Sequence, residues 1–301
     1  MTSYPKQILN IDQQIQTYKD AGLSFTSEDD VKTELKAIGY YRLRGYSTHF
    51  YDAQYKAYRN GTDFKDIMDL YHFDVDLSHL LFKMTTAIEV ALRARLSDAM
   101  LIYQDALIWT DPSSFADKKL FWKNFSTISS EIARSSDVFI RHHYQQYDGV
   151  IPVWAAVEVM SFGALSKMIK NLKTGSNSAY SVLANHYSYT TQKGHTVNPS
   201  KNMLSSWIHS VTMLRNACAH NSRIYGRTFS TSPEILHADK DAYSTRNGLY
   251  QIILAMKYLR PNDTSWKAFV AEFQQLLTIY TKVVDLSCIN FPTDWYKHFI
   301  V

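Results

Sequence analysis

Cysteine is nearly missing from this 301-residue chain: Cys218 and Cys288 are the only two, and they form no CxxC pair. A disulfide scaffold is thereby excluded, and a reducing compartment is the expectation. Glycine and proline are scarce as well, at 10 and 7 residues, about half of what an average sequence carries. Those residues punctuate hairpins and sandwiches, so their scarcity argues for a mostly helical protein. Residues 1–10 lack the basic-then-apolar pattern of a signal peptide. No apolar run reaches the roughly 20 residues of a membrane span; the most apolar stretch, 150–165, is interrupted by Glu158. A cytoplasmic protein without a transmembrane helix is expected. One further absence is local. Between residues 159 and 233 there is no Asp or Glu, against five Lys and three Arg. That window carries +8, while the rest of the chain, with 24 basic against 28 acidic residues, carries −4. Charge segregated in this way fits a surface that meets a polyanion, and it also fits a buried, loop-rich stretch from which acids are simply excluded.

What is present is apolar surface at helical spacing. With 46% hydrophobic and 14% aromatic residues, 21 of them Tyr, the chain can bury a core that offsets its conformational entropy. Ile8, Ile11, Ile15 and Tyr18 recur every three or four positions before Gly22. Ser27 followed by Asp30 starts a second helix that runs to Gly39. Leu77, Leu81, Met84, Ile88, Leu92 and Leu96 keep one face apolar over about 73–103, a central rod, and Asp111-Pro112-Ser113-Ser114 ends that region. Pro152 opens a helix predicted to run to about 173, with Gly163 inside it as a weak point or a close contact. Stretches 171–178 and 187–199 read as loops. Asn198-Pro199 reads as the cap and first turn of a helix carrying Leu204, Trp207, Val211, Leu214 and Cys218 on one face, and helices near 244–259 and 263–286 close the chain. The reading is all-α, with an N-terminal helical region over 1–112 and a second helical domain over 113–301.

Several catalytic devices are absent: no GxSxG elbow, no phosphate-binding GxxxxGK[ST] loop, no GxGxxG and no HExxH. His72, Asp76 and His79 share a helical face at i, i+4 and i+7, where they could bind a divalent ion or act as caps and solvated groups. The segment from Leu214 to Arg227 is richer. On a helix Asn216, His220, Arg223 and Arg227 fall at i, i+4, i+7 and i+11, opposite the apolar face. A titratable His among fixed cations, in an acid-free window, is what phosphodiester cleavage needs; a polar helix end whose cations meet the C-terminal dipole has the same composition. Arg215 sits five residues before His220, about 140° around an ideal helix, so it joins the same pocket only through side-chain reach, a helix distortion or a second subunit.

Arg215-Asn216-x-x-x-His220 resembles the R-N-x-x-x-H signature of HEPN ribonucleases. The wider chain is similar to the abortive-infection (Abi-type, AbiD/AbiF-like) bacterial anti-phage proteins. The landmarks are Ile38-Gly39-Tyr40-Tyr41-Arg42-Leu43-Arg44-Gly45-Tyr46, Leu70-Tyr71-His72-Phe73-Asp74, Ile88-Glu89-x-x-Leu92-Arg93, Pro152-Val153-Trp154 through Glu158 to Ser161-Phe162-Gly163, and Leu214 to Arg227. The resemblance covers about 6–230. It implies an all-α protein whose C-terminal half is a HEPN bundle, acting as a metal-independent endoribonuclease without cofactor. It further implies a homodimer joining two motifs in one cleft and, in some members, a structured antitoxin-like RNA partner. Arg215, Asn216 and His220 match the motif as catalytic residues. Glu158, Asn221, Arg223, Tyr225 and Arg227 support it by position. Glu89 and Arg93, an i, i+4 pair with the acid first, read as a surface salt bridge or as part of the site. The run Tyr40, Tyr41, Arg42, Arg44, Tyr46, Tyr51, Tyr55, Tyr58, Arg59 reads as core and rim packing, or as a single-strand RNA platform. Two functions from different classes stay open: a ribonuclease effector, and a non-catalytic RNA- or protein-binding module using the same basic surface. A metal-dependent phosphohydrolase using His72, Asp76 and His79 is the remote third.

Overall fold

The computed structural model describes residues 8–239 and 248–301. Regular secondary structure among the described residues is helical, apart from two short antiparallel hairpins, so the all-α expectation holds. In chain order the helices are α1 (Ile11–Asp20), α2 (Glu28–Ile38), α3 (Tyr40–Ser47), α4 (Phe64–Met100), α5 (Lys118–Ala133), α6 (Val138–Gln146), α7 (Val153–Val159), α8 (Phe162–Asn171), α9 (Ala179–Asn185), α10 (Lys201–Ala219), α11 (Leu249–Leu259), α12 (Asp263–Ile279) and α13 (Trp295–Phe299). Strands Tyr51–Asp52 and Ala57–Tyr58 form one hairpin, and Tyr189–Thr190 with Thr196–Val197 form the other, inside a stretch expected to be loop. The chain divides into two compact units, Met1–Leu77 with Phe273–Asp285, and Ser78–Glu272 with Leu286–Val301. The division falls at Leu77/Ser78, within α4.

In the first unit the capping signals act as expected. Asn10 and Gln13 cap α1 reciprocally, and the Ser27 hydroxyl accepts from Asp30 N at 3.2 Å to start α2. The Tyr- and Arg-rich segment is largely consumed in packing. Tyr46 Oη donates to Asp74 Oδ2 at 2.7 Å, Arg44 Nη1 donates to Tyr58 Oη at 2.6 Å, and the Arg44 guanidinium lies 4.9 Å from the centre of the Tyr51 ring. Tyr41 and Tyr55 alone among these tyrosines are exposed. Asp76 accepts a hydrogen bond from Tyr280 Oη at 2.8 Å. Among the described residues no group of three or more His, Cys, Asp or Glu is arranged to hold a metal ion, and no helix is long and apolar enough to cross a membrane.

The second unit is built around α10 and α11. Helix α11 buries nine of its eleven residues and reads apolar all round, as a central helix should. Helix α10 lies against α11 and α8 through Leu204, Trp207, Ile208, Val211 and Leu214, all fully buried; each such aliphatic side chain contributes about 1.5–3 kcal/mol. The cap of α10 is Ser200, whose hydroxyl accepts from Met203 N at 3.1 Å, not Asn198. Pro199 precedes it, and its carbonyl accepts from Tyr180 Oη at 2.8 Å. The single helix expected from Pro152 to about 173 is two helices. Met160 and Ser161 are extended, the Ser161 hydroxyl accepts from Ala164 N to cap α8, and Ser161 N donates to the buried Glu131 carboxylate at 2.9 Å. Gly163, the weak point in the sequence, lies just past the break in the first turn of α8, and apolar residues continue through the break itself, so the pattern does not locate it. The predicted helix start near 244 lies outside the described residues; α11 is described from Leu249.

Candidate active site

The segment carrying Arg215 and His220 is the last turn of α10 and its exit. His220 is the C-cap, and Asn221 adopts the left-handed conformation with φ +49°. Ser222 N donates to Ala217 O at 2.9 Å and Asn221 N to Cys218 O at 3.0 Å, a Schellman turn in which Asn replaces the usual glycine. The helix therefore stops at Ala219. Asn216 and His220 do stand one turn apart on one face, but Arg223 and Arg227 lie beyond the helix and do not continue that line, which corrects the four-residue stripe expected from spacing. Arg223, Arg227 and Asn221 are exposed, Tyr225 is buried, and the Arg227 guanidinium sits 5.3 Å from the Phe229 ring. His220 is exposed at the helix end.

Arg215 leaves α10 on a different side and turns to α4. Its Nε lies 3.3 Å from Glu89 Oε2, its guanidinium is 5.7 Å from the Phe82 ring centre, and Nη1 reaches Asn216 Oδ1 at 3.4 Å. The approach to Glu89 is an ion pair without aligned hydrogen-bond geometry, since neither Glu89 Oε2 nor Arg215 Nε has a hydrogen-bond partner among the described residues. The other oxygen of Glu89 is bonded to Arg93 Nη2, and Arg93 also donates to the carbonyls of Val157 and, at 2.6 Å, Met160. The break between α7 and α8 is what makes these carbonyls available, because a continuous helix would have engaged Val157 O within itself. Glu89 and Arg93 are thus not the surface salt bridge that their spacing suggests: their side chains are 7% and 11% exposed, against 32% for Arg215. Two arginines share one carboxylate, and the cluster keeps one net positive charge. Glu158, by contrast, is exposed and makes no ion pair among the described residues.

Around the Asn216 side of α10 runs a groove whose other wall is α8. Spacing drew attention to Asn216 alone in this region. The remaining polar lining, which includes Lys167, Lys170, Ser205, His209 and Ser210, is traceable only through the acid-free window in which all of it lies. Desolvation by the groove, and secondarily the charge of Lys170, hold the His209 imidazole below the usual histidine range. The folded protein then resists a proton that the unfolded chain accepts, so stability contributed at neutral pH is lost as pH falls below about 6.5. His209→Asn is expected to flatten the pH dependence of the urea midpoint between pH 7 and 5; an unchanged slope would assign that dependence to other groups, such as His49, whose titration burial also lowers.

Comparison with known sequences adds one decisive match: residues 33–226 fit the family described as Abi-like protein. The chain belongs to the Abi-like family. The matched span includes α4 with Glu89 and Arg93, the α7–α8 break and all of α10, and it ends one residue before Arg227. Abi-like membership carries a general assignment to abortive-infection defence. No curated protein and no solved structure matches the chain.

Proposed function

We propose that this Abi-like protein is a metal-independent endoribonuclease of the HEPN type, an anti-phage effector of the abortive-infection or toxin–antitoxin kind. The observation that carries the reading is the end of α10, where an exposed His220 and the half-buried Asn216 stand one turn apart within a stretch of sequence that carries no acidic residue, with Arg215 adjacent in sequence and ion-paired to Glu89 of α4. In this scheme the 2′-oxygen of a ribose attacks its own phosphate and the bond from phosphorus to the 5′-oxygen breaks. His220 takes the 2′-hydroxyl proton or delivers one to the leaving 5′-oxygen, and Arg215 stabilises the charge developing on phosphorus. The nucleophile is already held beside its target, so effective molarity replaces a metal or a covalent intermediate. One motif supplies one His. A homodimer would supply the complementary acid or base and would relieve the angular separation of Arg215 from His220, so light scattering should give a mass near twice 34.8 kDa.

The products are expected to be 2′,3′-cyclic phosphates and 5′-hydroxyls, formed equally with Mg²⁺ or EDTA. Water-derived 3′-phosphates from the outset, or cleavage abolished by EDTA, would refute the scheme. A second reading, a non-catalytic RNA- or protein-binding module, draws support from one observation: Arg215 is ion-paired inside the fold, as a structural arginine would be. RNA bound tightly and recovered intact would favour that reading. A structured antitoxin-like RNA remains a proposed partner under either.

A further inference from the structure

Helix α8 presents Lys167 and Lys170, one turn apart, to the wall of the groove, and both are exposed and make no ion pair among the described residues. Lys201, by contrast, is used by the fold, its Nζ donating to Leu172 O at 2.6 Å. Across from the two lysines, α10 contributes Ser205, His209, Ser210 and Asn216, and the groove encloses about 710 Å³. No lining residue is acidic, so nothing within the groove neutralises the lysines. The second observation lies beneath them. Ser205 and Ser210 are 9% and 1% exposed, yet neither hydroxyl has a hydrogen-bond partner among the described residues. Helical serines ordinarily bond back to the preceding turn, as Thr212 does here to Ile208 O at 2.8 Å. Buried hydroxyls left unpaired cost free energy, which a ligand bearing acceptors recovers once a change of serine rotamer turns them toward the groove.

We propose that the α8–α10 groove binds the backbone of single-stranded RNA, with Lys167 and Lys170 on phosphates and the Ser205 and Ser210 hydroxyls on phosphate or sugar oxygens. The neutral His209 ring offers a base a surface to stack on, and Asn216 hands the strand to His220 one turn further along α10. This proposal rests on the ribonuclease reading for its direction, and on the groove for its chemistry. A single strand fits better than a duplex: the lining donors are short side chains in a concave channel, whereas an A-form helix is recognised across a wide, shallow minor groove. A strand crossing two lysines should also show its electrostatics in salt dependence, at about 0.7 in slope for each neutralised phosphate of a single strand.

The test is fluorescence anisotropy with a labelled 12-nucleotide single-stranded RNA, using full-length protein in a His220→Ala background so that the probe stays intact. Lys167→Ala/Lys170→Ala is expected to weaken binding at least tenfold and to lower the log–log salt slope by about one to two. Lys267→Ala, an exposed lysine of α12, should change neither, and Lys167→Arg/Lys170→Arg should restore affinity. Unchanged affinity and slope in the double alanine variant would overturn the groove proposal even if the native protein cuts RNA. If the double variant loses binding while the native protein leaves RNA intact, the groove stands and the ribonuclease reading falls. Stronger competition by duplex RNA, or equal competition by polyglutamate, would also overturn the proposal, assigning the groove to a duplex or to an acidic protein.

Discussion

If the proposed ribonuclease reading holds, His220→Ala is expected to abolish RNA cleavage while leaving the fold and RNA affinity in place. Removing a positioned general acid or base costs about 10²–10⁴ in rate, and His220 can be removed this cleanly because of where it stands. Its side chain is exposed at the C-cap, its backbone lies in a region open to any residue at φ −94°, and the turn that follows is closed by main-chain bonds to Ala217 and Cys218. No packing is lost with the imidazole. Arg215→Ala is expected to behave differently, because in the proposed scheme its charge serves substrate as well as chemistry; binding and cleavage should both fall. The protein should nevertheless fold, since Arg93 still neutralises Glu89 and Arg215 is already one-third exposed. The comparison is made by following a labelled RNA by gel and by anisotropy on the same preparations. Cleavage that survives His220→Ala at more than a tenth of the native rate would remove His220 from the reaction.

The helices were legible in the sequence because an amphipathic stripe at 3.6-residue spacing is a direct image of a buried face. Leu81, Met84, Ile88, Leu92 and Leu96 on α4 and Leu204, Trp207, Val211 and Leu214 on α10 are buried as the stripe requires. Local termini were legible only where the capping chemistry was itself local, as at Ser27. The break at Met160–Ser161 was not, although Ser161 caps α8 locally, because the extended turn between the helices is also held by Glu131 and Arg93, residues 30 and 67 positions distant in the chain. The site shows the same division. Asn216 and His220 share a face, as spacing within one helix dictates. Arg223 and Arg227 fell off the expected line because Asn221 takes the left-handed turn. Glu89 and Arg93 gave no sign of burial, since an i, i+4 acid–base pair on an exposed helix has the same spelling as one locked beneath a neighbouring loop.

Arg93→Ala is expected to destabilise the protein by about 3–5 kcal/mol, the usual cost of removing one partner from a buried ion pair. Three groups lose a donor at once: Glu89 Oε1 and the carbonyls of Val157 and Met160. Orphaned carbonyls cost about 1–3 kcal/mol each when buried, but the penalties will not add, because the α7–α8 junction can relax and admit water. Arg215 will not rescue Glu89 fully, since its 3.3 Å approach lacks hydrogen-bond alignment. Against a typical total of about 5–15 kcal/mol, the loss should bring unfolding into the range of mild denaturant. Arg93→Lys should recover little, as a single ammonium cannot span a carboxylate and two carbonyls set by a planar guanidinium. The double variant Glu89→Leu/Arg93→Met separates the two causes. If the uncompensated carboxylate dominates, the double variant is more stable than Arg93→Ala; if the carbonyls dominate, the two are equally weak. Urea titration of all three variants decides between them, and a loss below about 1 kcal/mol for Arg93→Ala would show that this cluster behaves as an exposed surface pair after all.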